Sequence, residues 1–345
     1  MRARELGIEI GSGEPGPANA ITDVAGIRVG HTTLVEGQDV RTGVTVVLPP
    51  EEAFAGSHRL NGNGEVTGLE WIRESGLLTT PIGLTNTFSV GVVRDAIVAA
   101  QHSTGRGEWH LPVVGETYDG RLNHIEGMHV RPEHVFGALE GAAAGPVAEG
   151  GVGGGTGMVC HGFKGGIGTA SRVVEEFTVG VLVQANHGRR PRLQVEGVPV
   201  GAELGPERIP LPPPLDTAAG SVIVLVATDA PLLPHQCERL AQRAALGVAR
   251  TGGAGENSSG DFMLAFATGN RGLSGGTATV SLEMVPNERI DPLFYAVIEA
   301  TEEAIVNALL AAETMTGRGG VTVHRLDPDA LVDVMRRHGR LGSSG

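Results

Sequence analysis

A chain in which 54 of 345 residues are glycine is restricted in what it can become. Glycine has no Cβ, so it permits tight turns and lets backbone approach backbone or ligand closely, at an entropic cost that only a packed fold recovers. Hydrophobic residues at 41% and charged residues at 19% supply material for a sizeable core, so disorder is not expected over most of the length. The glycines crowd into residues 135–168, above all Gly150-Gly151-Val152-Gly153-Gly154-Gly155-Thr156-Gly157. This run lacks the Walker spacing with its terminal Lys-Ser/Thr, so it reads as backbone packed around a site and not as a phosphate cradle.

Charge and composition remove several function classes. The net charge is −13 with no basic block, which disfavours nucleic acid and anionic membrane as partners. Cys160 and Cys237 are far apart and have no CxxC spacing, and the 12 histidines show no ligand spacing; neither a disulfide framework, a zinc site nor another metal is expected. No secretory signal or membrane-length apolar run is seen, so the expected location is the cytoplasm. Lys164 is the only lysine among 26 basic residues. Lysine is a compact, tunable charge where arginine is a permanent planar fork, and its survival at this one place marks Lys164 as functional.

Periodicity sketches the elements. Thr42–Leu48, Pro81–Phe88, Thr178–Gln184, Ser221–Ala227, Phe262–Ala267 and Thr277–Met284 read as strands. Val66–Ser75, Val90–Gln101, Leu232–Arg250 and an amphipathic Leu293–Glu313 read as helices. Residues 187–219, rich in Arg, Pro and Gly, read as a surface excursion ending in the stiff connector Pro212-Pro213-Pro214. This order suits a layered α/β sandwich.

The segment Gly255-Glu256-Asn257-Ser258-Ser259-Gly260-Asp261 brings a flexible approach to a serine at the mouth of a strand. The segment lacks Gly-x-Ser-x-Gly, the chain has no HExxH, and no pattern supports a Ser-His-Asp triad. Attack of the Ser258 hydroxyl on the Asn257 carbonyl would instead convert an amide to an ester and leave a new α-amine. That amine titrates near pH ~7.7–8 and can act as general base for its own hydroxyl. Read locally, the same residues also make an ordinary serine-rich turn before a strand.

A set of stretches decides between these readings. They are residues 19–31 (NAITDVAGIRVGH), 85–91 (TNTFSVG), 115–120 (GETYDG), 163–171 (FKGGIGTAS), 183–186 (VQAN), 257–261 (NSSGD) and 299–305 (EATEEAI). In this order they resemble the self-cleaving aminopeptidase family of DmpA and the β-peptidyl aminopeptidases. The resemblance implies an α/β fold of the N-terminal-nucleophile type, a four-layer αββα sandwich. One domain, residues 1–345, would be built from an autoproteolytic large fragment, 1–257, and a small one, 258–345.

It further implies cleavage between Asn257 and Ser258, with Ser258 as nucleophile and Ser259 as the neighbouring alternative. Asn186 would donate to the oxyanion, Tyr118 would line the substrate pocket, and Lys164 would lie near the nucleophile. Asn287 and Glu288 are expected to bind substrate, with Glu288 holding its amine; Glu302 and Glu303 are expected to be helix-surface or interface charges and not catalytic ones. The implied substrates are small peptides, amides or esters with a free amino end, the implied assembly a homo-oligomer (tetramer or octamer), and no metal or organic cofactor is implied. A self-processed acyltransferase resembling ornithine acetyltransferase and an unprocessed binding protein are the competing readings.

Overall fold

The computed structural model describes residues 1–103, 109–213, 220–273 and 278–341. The chain opens with strands β1 (Arg28–Glu36), β2 (Val40–Leu48) and β3 (Ala53–Gly62), then α1 (Leu69–Ser75), β4 (Leu77–Leu78), β5 (Ile82–Asn86), α2 (Val90–Ser103), β6 (Val113–Thr117) and α3 (Pro132–Glu140). Two short strands, β7 (Val159–Cys160) and β8 (Phe163–Lys164), precede the long hairpin of β9 (Gly166–Val174) and β10 (Phe177–Asn186). After α4 (Val200–Glu203) come β11 (Gly220–Thr228), α5 (Pro234–Arg250), β12 (Ser259–Ala267) and α6 (Asp291–Ala311). The short β13 (Met315–Thr316) and β14 (Thr322–Val323) and helix α7 (Pro328–Arg337) end the described chain.

Two sheets stack in the order β1-β2-β5-β6 and β4-β3-β12-β11-β10-β9. The pairs β5/β6 and β11/β12 are parallel. Parallel neighbours need a crossover, which α2 and α5 supply. In β11, Val222, Val224 and Val226 enter the core shared with α5 and α6, while Ile223, Leu225 and Ala227 enter the core between the sheets. That split follows the two-residue period of a strand and explains why Ser221–Ala227 is apolar almost without a break. On the other sheet, Val44, Val46 and Val114 pack with Val93 and Ile97 of α2 and Val135 and Ala138 of α3. The layers are therefore helix, sheet, sheet, helix, as expected.

The glycine excess has its use at the layer contacts. A Cβ on Gly168 of β9 would stand 1.9 Å from the Ala304 carbonyl of α6, and one on Gly30 of β1 would stand 2.0 Å from the Ala138 carbonyl of α3. Only a bare backbone lets each helix lie that close to its sheet.

Three expectations are corrected. Residues 278–284 form no strand and are largely exposed, and Thr277 lies outside the described residues; β3 and β11 already occupy both edges of β12. Residues 187–213 are no mere surface excursion, because Leu193, Val195, Val198, Val200 and Leu204 are buried in the main core; Pro214 lies outside the described residues. Helix α6 is buried on most of its circumference, and Glu302 and Glu303 are fully buried. Glu303 pairs with Arg172 at 2.7 Å and Arg4 at 3.2 Å, and Asn19 donates to it at 2.6 Å. Glu302 pairs with Arg250 and accepts from the Glu196 backbone N–H at 3.0 Å. Left alone there, each carboxylate would cost several kcal/mol.

Candidate active site

Asn186 is the last residue of β10 and is buried. Leu182, four residues earlier, enters the core between the sheets, so alternation puts Gln184 and Asn186 on that same face. Gln184 spans the gap, donating to Thr85 O at 2.9 Å and Thr117 Oγ1 at 2.8 Å. The Asn186 carboxamide is held at both ends, accepting from Val159 N at 2.7 Å and donating from Nδ2 to Tyr118 O at 3.0 Å. One N–H of Nδ2 is left to donate elsewhere.

The serine beside this donor is Ser221. Asn186 pairs with Ser221 across β10 and β11, Ser221 pairs with Gly260 across β11 and β12, and Gly220 pairs with Ser259. Ser221 shares its face with Ile223, hence with Asn186, and its buried Oγ accepts from Gly260 N at 3.3 Å. Opposed residues of an antiparallel pair stand ~5 Å apart at Cα; a residue one strand further is at roughly 10 Å. Ser258 precedes β12 in a turn, its carbonyl accepting from Asn63 Nδ2 at 2.8 Å, and Asn257 is exposed. The expected meeting of Ser258 with Asn186 is thus replaced by that of Ser221 with Asn186, because β11 separates β12 from β10.

Ser259 is buried, donates to Asp261 Oδ1 at 2.6 Å, and its Oγ lies 3.9 Å from where a Cβ on Gly220 would be. Burial pushes the Asp261 carboxyl above its usual range, against the hydrogen bonds from Ser259 and the Val222 backbone. A hydroxyl and a carboxylate therefore stand next to the Gly220–Ser221 peptide.

Glu116, in β6 on the facing sheet, closes the same mouth. The space beside Gly64 is shared by Glu116 Oε1 and the Gly260 Cα, at 2.8 and 3.2 Å from a Cβ placed there. Glu116 accepts from Glu65 N at 3.0 Å and from Thr87 Oγ1, and has no ion-pair partner among the described residues. Burial raises its pKa, and those two hydrogen bonds only partly oppose the shift. A buried carboxylate without a cation, set beside Gly260 at the start of β12, is suited to a ligand ammonium.

Tyr118 reaches the site through its backbone carbonyl, the acceptor of Asn186; its half-buried ring folds over Gly120, where a Cβ would meet the hydroxyl at 2.3 Å. Lys164 is fully buried, its Nζ donating to Gly165 O at 2.9 Å and Gly155 O at 3.3 Å. Its strand partner is Val159, whose N–H holds Asn186. Burial takes its pKa down to about 7.

Asn287 and Glu288 are elsewhere. They follow Val285 and Pro286, which line a groove of about 670 Å³ with Phe177, the first residue of β10, and Pro231, just beyond the end of β11. Asn287 is tied to Arg239 at 2.9 Å and Gln236 at 3.3 Å. They lie at the opposite end of β10 from Asn186, ~30 Å along the strand.

Sequence reasoning passed over Ser221, Glu116 and Asp261 as functional residues. The signals were a serine directly after glycine at the edge of an apolar strand, and an acid inside 115–120.

Comparison with known proteins gives the site a context. Residues 19–323 match the model of peptidase family S58. The chain is 49% identical to the β-peptidyl aminopeptidase BapA of Sphingosinicella microcystinivorans over 372 residues, spanning 99% of this chain and 94% of that protein. Among solved structures, a Burkholderia sp. β-aminopeptidase is 56% identical with TM-score 0.93, covering 98% of this chain and 99% of that one. The L-aminopeptidase D-Ala-esterase/amidase of Ochrobactrum anthropi, described as a prototype serine aminopeptidase and a variant of the Ntn hydrolase fold, is 43% identical with TM-score 0.92, covering 99% of each chain.

Proposed function

The chain belongs to peptidase family S58 and is a serine aminopeptidase with the N-terminal-nucleophile hydrolase fold, and from that premise we propose that it activates itself by breaking the bond before Ser221. The Ser221 Oγ attacks the Gly220 carbonyl carbon, the C–N bond breaks, and the hydroxyl proton passes to the departing nitrogen. Water hydrolyses the resulting ester, leaving a Gly220 carboxylate and a Ser221 α-amine. Fragments 1–220 and 221–345 would share one domain. The observation that carries this reading is the common register of Asn186, Ser221 and Gly260.

In the processed enzyme the α-amine, titrating near ~7.7–8.0, takes the proton of its own hydroxyl as Oγ attacks the first carbonyl of the substrate. Asn186 Nδ2 donates to the oxyanion, a contact worth ~3 kcal/mol in such sites. Ser259 and Asp261 orient the α-amine. The departing amine is protonated by the ammonium so formed, and water deacylates Ser221. Glu116 takes the place first expected of Glu288 and holds the substrate ammonium. Its position favours small peptides, amides or esters with a free amino end, and the likeness to β-peptidyl aminopeptidases supports counting β-peptides among them. Lys164 acts by position, pinning the glycine loop at Gly155. We include in the proposal a tetrameric or octameric assembly and a cytoplasmic location. Among the described residues no helix is long and apolar enough to cross a membrane.

Intact-mass analysis with amino-terminal sequencing of the wild type, Ser221→Ala and Ser258→Ala tests the assignment. The expected outcome is a fragment beginning at Ser221 in the wild type and in Ser258→Ala, and a single inactive chain in Ser221→Ala. Scission that survives Ser221→Ala and is lost in Ser258→Ala would return the nucleophile to Ser258.

A further inference from the structure

Beside the end of β10 lies a cluster that the reaction does not use. Cys160 ends β7 and is followed by His161, and His187 follows Asn186. All three are at least nine-tenths buried, at 0, 0 and 4% exposure. One donor atom from each lies within 4.8 Å of the others. Cys160 Sγ is 3.8 Å from His187 Nδ1, and the two imidazoles meet edge-on at 5.2 Å. A tetrahedral cation with metal–nitrogen and metal–sulfur bonds of usual length sets such atoms ~3.4–3.8 Å apart. The cluster is within a side-chain adjustment of that spacing.

The hydrogen bonding prepares the ligands. His161 Nδ1 faces the Arg189 carbonyl at 3.2 Å; a carbonyl only accepts, so the proton sits on Nδ1 and Nε2 keeps its lone pair. The Nε2 atom of His161 is buried with no protein partner, a state that ordinarily costs ~1–3 kcal/mol, and His187 turns Nδ1 towards the sulfur. His161 has a left-handed φ of 49°, uncommon for a side-chain-bearing residue, and its ring fills the space beside Gly188, where a Cβ would be 2.2 Å from Cε1. Burial lowers the pKa of His161 to about 4 and of His187 well below its usual value, which keeps both rings neutral, as ligands must be. Arg190 is close by, but its guanidinium is turned onto the carbonyls of His161, Gly162, Leu204 and Ile209 and over the Phe163 ring.

We propose that Cys160, His161 and His187 form a site for one divalent cation of the zinc class, bound through one thiolate sulfur and two imidazole nitrogens. Sulfur with imidazole is the donor set such cations prefer over the oxygen-seeking magnesium or calcium. Burial pushes the Cys160 thiol up to about 12, so binding displaces its proton. The thiol and M²⁺ give a thiolate complex and one H⁺, with no change of oxidation state. The bound ion ties β7 to the end of β10, the two segments that hold the Asn186 carboxamide. The three residues would therefore position Asn186 and take no part in the reaction.

The test uses the full-length protein. Chain produced with added Zn²⁺ is dialysed and its metal content measured, and in parallel Co²⁺ is titrated while absorbance and proton release are followed. One Zn²⁺ per chain, a sulfur-to-cobalt charge-transfer band with intense tetrahedral d–d bands, and about one proton released per metal are expected. Cys160→Ala should lose the charge-transfer band and His161→Gln should weaken binding at least tenfold, while both keep the wild-type far-ultraviolet circular dichroism. Absence of bound metal, or binding that lacks the band or persists unchanged in Cys160→Ala, overturns the proposal. If Cys160→Ala does not fold, the wild-type spectrum and the His161→Gln titration decide.

Discussion

Replacing the single lysine by methionine should change how stability depends on pH, and the structure sets the size of the change. The Lys164 ammonium is fully buried, meets two carbonyls, and has no carboxylate partner among the described residues. Burial takes its pKa from 10.5 to about 7. Between those limits the unfolded chain binds a proton that the folded chain does not, so stability rises with pH by ~1.4 kcal/mol per unit. The full difference is roughly 5 kcal/mol, lost progressively as pH falls from 10.5 to about 7. Methionine fills similar space without a charge, giving up two hydrogen bonds worth ~1 kcal/mol each. The assay is equilibrium urea unfolding at pH 7.5 and 9.5, followed by tryptophan fluorescence on a Ser221→Ala background that keeps the chain in one piece. The advantage of Lys164→Met over lysine should shrink by ~2–3 kcal/mol from the lower pH to the higher. Two unfolding series that stay parallel across that interval would refute the reasoning, since the lysine would then titrate alike in both states.

Asn186→Ala should lower kcat by ~10²–10³-fold in amide hydrolysis and, by leaving Val159 N–H and Tyr118 O unpaired, destabilise the fold by ~1–3 kcal/mol per group; steady-state kinetics and thermal melts check both. In Glu116→Gln the KM for substrates with a free amine should rise. In the wild type, activity should fall as pH drops through the raised pKa of Glu116, because protonation removes the charge that holds the ammonium; a glutamine variant whose pH–rate profile keeps that acid limb would remove Glu116 from the amine site.

Strands β2, β5, β10, β11 and β12 and helices α1, α2, α5 and α6 are legible from local pattern, whereas β3, β6 and β9 are not, and the four-layer arrangement is what the resemblance implies. The continuous apolar run of Ser221–Ala227 reads as a strand buried on both faces, and Leu232–Arg250 reads as the helix that follows it. Pairing between distant strands leaves no such local trace. Ser221 looks like the first residue of a core strand until β10 is set beside it and Asn186 falls opposite, whereas Asn257-Ser258-Ser259 is conspicuous precisely where the chain turns. Glu302 and Glu303 read as surface charges because nothing near them in sequence announces Arg172, which reaches Glu303 from β9. Cys160 and His187 escape spacing rules in the same way, being joined only through the end of β10.

The position of Ser221 also explains how a fold could survive the cut that would activate it. Strand β11 lies inside the six-stranded sheet, with β10 on one side and β12 on the other. A break before its second residue removes no strand from the ladder. Val179–Asn186 would still pair with Ser221–Thr228, and Phe54–Gly62 with Gly260–Ala267. Both seams would then run between fragments, since β3 and β10 belong to the first and β11 and β12 to the second. Beneath them the second fragment's Val222, Val224 and Val226 share a core with Val181 and Val183 of the first, each side chain worth ~1.5–3 kcal/mol on burial. The new chain end is thus anchored on two sides by backbone hydrogen bonds and below by packing. An amine and a hydroxyl at that chain end would then be held in register with Asn186.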